Sequence, residues 1–90
     1  MSRKDLHDIL GEALGRAKAG DLESVRTLNK QYSDIKNKVY SDRTSDLDTL
    51  YDHCMGSCIQ GAGAIMAGQR EAFLEEAESI YKGLPIPEDL

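Results

Sequence analysis

The chain has 90 residues, 16 acidic and 11 basic, with a formal net charge of −5. Forty per cent of its residues are apolar and 30% are charged, a balance that suits one small globular domain and argues against a disordered chain, a disulfide scaffold or a basic nucleic-acid binder. No charged-then-apolar leader opens the sequence, and the longest uncharged stretch, residues 53–69, is too short and too glycine-rich to span a bilayer. The expectation is a cytoplasmic protein with reduced thiols and no membrane association.

The first 40 residues read as a helical hairpin. Ser2 and Asp5 have the spacing of a capping box. Leu6, Ile9, Leu10, Ala13, Leu14 and Ala17 then recur on one helical face. Gly20 should end this helix and Asp21 should cap the next, which makes the connection short and the two helices antiparallel. In the second helix Val25, Leu28, Tyr32, Ile35 and Val39 alternate at spacings of three and four, the seam of a helix packed on another helix. Arg26, Asn29, Lys30, Ser33 and Asn37 fall off that seam and should be wet. The stretch 19–28 resembles the inter-helix turn of an ankyrin repeat, but no second copy follows it and it assigns no family.

Residues 41–45 are polar and break the pattern. Ser45 with Asp48 signals a new start, and a long helical segment should follow to about Lys82, stopped by Gly83, Pro85 and Pro87. Residues 1–84 thus form one helical domain, with 85–90 a tail that is ordered only if Leu84 and Ile86 dock. Leu47, Leu50, Tyr51, Cys54 and Cys58 share a face in the first half of the long segment. Phe73, Leu74, Ala77, Ile80 and Tyr81 share another in the second half, rotated by about 100° on a straight helix.

Between these halves lie Gly56, Gly61, Gly63 and Gly68. Four glycines inside a helix cost together about 3–4 kcal/mol relative to alanine, so a close-packed backbone should offset them. Ser57, Gly61, Ala64 and Gly68 fall on one line, with Ile65 beside it. A straight helix of this length would reach about 55 Å, more than two helices of about 27 Å can cover. Either a bend near Gly61 to Gly63 folds it back, or a second copy covers it; a second copy is the preferred expectation. The fold class is therefore all-α, a helical hairpin plus a long, kinked or whole, third helix, bundle-like and completed by dimerisation.

No catalytic set emerges. Cys54 and Cys58 lie one turn apart beside His53, and two thiolates so placed can share a soft metal. They also share the apolar face, where free cysteine behaves as a small hydrophobe, so core packing is the preferred reading and no metal or cofactor is assigned. His53 should be solvated, and His7, in a first helical turn, is uninformative. Glu71, Glu75, Glu76 and Glu78 lack the Glu-x-x-His spacing of a di-iron bundle and read as a solvated face, with Glu76 closest to the apolar side.

Residues 1–43 carry a net charge of +2 and residues 44–90 a net charge of −7. Arg26, Lys30, Lys36, Lys38 and Arg43 are the only basic cluster, and Asp34 and Asp42 interrupt it, which disfavours nucleic acid. The function these features suggest is a small non-enzymatic interaction protein, of the accessory kind frequent in bacteria and phages. It would form a homo-oligomer through Ser57, Gly61, Ala64, Ile65 and Gly68, and meet a protein partner with a basic surface. Two alternatives are a thiol or metal sensor or carrier built on Cys54 and Cys58, and a small-ligand binder at the glycine-rich stretch.

Overall fold

The computed structural model describes residues 3–40 and 45–86. The expected cap at Ser2, the polar break over residues 41–44 with Asp42 and Arg43, and the tail from Pro87 lie outside the described residues. Within them the chain is all-α: α1 (Arg3–Lys18), α2 (Leu22–Val39), α3 (Asp46–Gly63) and α4 (Ala67–Gly83), with no strand.

The hairpin of α1 and α2 forms as its punctuation implies. Gly20 takes a φ of 76°, the left-handed conformation that glycine adopts without a β-carbon penalty. Its N–H bonds to the carbonyl of Ala17, and the N–H of Asp21 to that of Arg16, the paired bonds that satisfy the last carbonyls of a helix. Asp21 then accepts from the backbone N–H of Ser24 at 3.1 Å and from its hydroxyl at 2.6 Å, opening α2. At α3, Ser45 and Asp48 cap each other reciprocally.

The long third segment, expected either whole or bent near Gly61 to Gly63, is two helices. α3 ends at Gly63 with Ala64 in extended conformation, and α4 begins after Met66, also extended. The chain folds back so that α4 lies against α3. A helix of about 55 Å would have outrun the molecule, whose longest dimension is 40 Å. Folding back instead buries Ala77, 0% exposed, in the common core. The 100° offset between the two apolar faces follows: each half aims its own face at that core from a different side.

α1 packs against all three other helices, and so does α3, while α2 and α4 do not meet. The four form a diamond in section, α1 and α3 on its short diagonal. The core is the α1 face Leu6, Leu10, Ala13 and Ala17, the α2 seam Val25, Leu28 and Tyr32, and Tyr51, Cys54, Met55 and Cys58 of α3. Leu84 docks at 5% exposure and Ile86 does not, at 85%. Leu50, placed on the apolar face by its spacing, is 45% exposed, and Met55 is buried in its stead. Asn29 and Ser33, expected to be wet, are half-buried, since α3 runs beside that edge of α2. No helix among the described residues is long and apolar enough to cross a membrane.

Candidate interaction surface

The five residues singled out for self-association divide between two environments. Ser57 and Gly61 point into the molecule and are buried. A β-carbon at Gly61 would stand 2.8 Å from Leu74 Cδ2 and 3.3 Å from Phe73 Cβ. The close approach that glycine permits is therefore made within one chain, by α4 against α3. Ala64 caps α3 and is half-buried, its carbonyl accepting from Arg70 Nη2 at 3.3 Å. Ile65 is 99% exposed and Met66 64%. Gly68 is exposed, with open space where a β-carbon would sit.

The elbow between α3 and α4 thus pushes two large apolar side chains into solvent. An open groove of about 480 Å³ runs here, lined by Ile65 itself, by Leu22, Ile59 and Phe73, and by the polar Arg26 and Gln69. Isolated apolar residues on a surface need no explanation, but an apolar groove continuous with fully exposed Ile65 does. A larger open groove of about 700 Å³ lies between α1 and α2, where Glu12, Arg16, Asp21, Glu23, Thr27 and Gln31 make it polar.

Cys54 and Cys58 are free and 0% exposed. The Cys54 thiol donates toward the carbonyl of Ala77 at 3.5 Å. The neighbouring Cys58 thiol, and then burial, hold it far above the usual thiol range. No group of three histidine, cysteine or carboxylate side chains able to hold a metal occurs among the described residues. His53 is exposed, its Nε2 3.0 Å from Glu76 Oε1. His7 stacks on Tyr81, ring centroids 4.7 Å apart.

A polar network at the opposite end of the bundle escaped the sequence reading. Arg3 of α1 pairs with Asp48, whose side chain also caps α3, and its guanidinium lies 5.1 Å from the Tyr51 ring centre and 5.6 Å from that of Tyr40. Burial works to raise the Asp48 pKa, but the Ser45 N–H and Arg3 outweigh it and leave the carboxyl below its usual value. Tyr32 donates to Asp52 Oδ1 at 2.8 Å and shares a 2.7 Å bond with Tyr40, and Lys36 Nζ lies 3.6 Å from the same carboxylate oxygen. Burial, and then its hydrogen bonds, raise the Tyr32 phenol far above its usual range; Tyr40 is pushed up to about 12, burial leading. The network ties α1, α2 and α3 together.

Compared with protein-family models, curated proteins and solved structures, the chain matches none.

Proposed function

We propose that the protein is a non-enzymatic helical interaction protein that self-associates through the α3–α4 elbow and the groove beside it. The observation that carries this reading is Ile65, 99% exposed next to an apolar groove that its own chain leaves open. A knob and a hole on one surface are self-complementary: a two-fold axis puts each copy's knob against the other's hole. Ser57 and Gly61 of α3 are buried and lie outside this surface, Gly61 against Leu74 of α4.

Recruitment of a partner with a basic surface rests on Glu71 and Glu75 alone, exposed on α4. The buried thiols and the leucine-filled space at Gly61 support no sensor or ligand-carrier reading. Sedimentation equilibrium tests the proposal. Wild-type protein should show concentration-dependent association in the micromolar range, and Ile65→Asp should remain monomeric with an unchanged helical circular dichroism spectrum, because Ile65 packs against nothing in its own chain. A wild-type monomer at several hundred micromolar would refute it.

A further inference from the structure

We infer that two copies of this chain meet through the exposed flank of α3, about a two-fold axis parallel to α3, so that Arg26 and Lys30 of each copy lie over Glu76 of the other. This deepens the reading of the elbow as a self-association surface and rests on it.

The diamond section supplies the first step. Because α2 and α4 do not meet, α3 shows solvent a strip flanked by α2 on one side and α4 on the other. Gly56 sits in that strip with open space where a β-carbon would be, so the floor is low. Ile59 and Phe73 are half-buried along it, and Ile65 and Met66 stand at its end. The molecule measures 40 × 23 × 21 Å, so one long flank supplies the roughly 800 Å² per partner of a standard stable interface.

The second step is charge. Arg26 lines the groove, and Lys30 follows one turn later on the same side of α2; both are exposed. Across the strip, Gln69 and Phe73 line the α4 side of the groove. Glu76 follows on that side, reaching His53 through Oε1 with 46% of its side chain exposed. The residue heights match as well. α2 runs antiparallel to α3, with Leu22 beside Gly63 at one end and Lys36 beside Asp52 at the other. Lys30 is therefore level with the middle of α3, near Gly56. α4 also runs antiparallel to α3, with Phe73 at Gly61 and Glu76 at His53. Lys30 and Glu76 thus stand at similar heights on opposite banks.

The third step is symmetry. A face-to-face pair has its two-fold axis in the plane of contact, either along α3 or across it. An axis across α3 would lay α2 on the partner's α2 and oppose Arg26 and Lys30 to their own copies. An axis along α3 preserves height and exchanges banks, which brings the basic bank of each copy onto Glu76 of the other. Like-charge opposition disfavours the first and opposite charge favours the second.

The test is a mixing experiment on the full chain by sedimentation velocity, with circular dichroism as the folding control. Arg26→Glu/Lys30→Glu should weaken self-association about tenfold or more, and so should Glu76→Lys. Mixed in equal amounts, these two variants should form a heterodimer of near wild-type affinity, since both bank contacts are then opposite in sign. If wild-type protein associates but the variants associate as well as it does, or Arg26→Glu/Lys30→Glu associates more tightly, the axis along α3 is wrong while self-association stands. If wild-type protein is monomeric, both the axis and the self-association reading fall.

Discussion

Leu74 Cδ2 lies 2.8 Å from the point where a β-carbon on Gly61 would stand. That relationship fixes how deeply α4 seats on α3, and it turns an unfavourable helix residue into a packing requirement. Alanine at position 61 would gain about 1 kcal/mol of helix propensity and lose about 1–3 kcal/mol to overpacking, since Phe73 Cβ, 3.3 Å away, cannot swing aside. Gly61→Ala should therefore destabilise the fold by about 1 kcal/mol net. Gly15, helical and with nothing within 4 Å of an added β-carbon, has no such conflict, and Gly15→Ala should stabilise by about 0.5–1 kcal/mol. Urea unfolding midpoints of the two variants should move in opposite directions.

Asp48 predicts the acid limb of stability. Its carboxyl titrates below the usual value in the folded protein, so the unfolded chain takes up its proton first, near pH 4. The stabilisation is complete above that point and is lost as pH falls through the folded value. Asp48→Asn should lower stability at neutral pH by about 2 kcal/mol, leaving Arg3 without its charged partner, and should flatten the decline below pH 4. Thermal melts of both proteins across the acid range measure this difference.

The alkaline limb belongs to the tyrosines. Tyr40 ionises at about 12 in the folded protein against an ordinary value of 10.0, and burial likewise raises Tyr32. A raised acid keeps its proton in the fold after the unfolded chain has lost it. Stability should hold below pH 10 and fall as pH rises from 10 towards 12. Tyr40→Phe should reduce the steepness of that fall, and phenolate absorbance of the native protein should lag that of the unfolded chain.

Cys54 and Cys58 should be silent in the native state. Both are 0% exposed, and a thiol must ionise and reach the reagent to react. A thiol-specific reagent should modify neither until the protein unfolds, with a rate that follows denaturant. Equimolar zinc should leave the melting temperature unchanged; a rise on zinc addition would restore the metal-carrier reading that the buried positions do not support.

Much of this architecture could be read along the chain. The α1 stripe, the α2 seam, the Gly20–Asp21 turn and the Ser45–Asp48 cap are local, each set by residues within a few positions of one another. The sequence offered a bend near Gly61 to Gly63 only as the alternative to a whole helix, and it did not place the break at Ala64 to Met66. That stretch contains no proline, and alanine and methionine are good helix formers, so only the gain from laying α4 back on α3 ends the helix there. The offset between the faces around Cys54 and Phe73 was its sequence trace. The Arg3–Asp48 pair was invisible for a related reason: its partners are 45 residues apart, and neither falls on an apolar stripe.

At the elbow the sequence reading separated small from large residues but could not say which way each would face. Ser57, Gly61 and Ile65 stood together as one patch. Ser57 and Gly61 were buried, Gly61 against α4, and Ile65 was left in water.

By itself, the order of residues determined that the chain is helical, where α1 ends and α2 begins, and that the glycines after Gly56 mark a bend or a close approach. Those properties follow from backbone propensity, capping and side-chain period, all of short range. Tertiary structure alone decided that the close approach is α4 on α3, that α2 and α4 stay apart, and that Ile65 faces outward. Those outcomes depend on which apolar surfaces bury one another across long stretches of chain, a choice no local window of sequence contains.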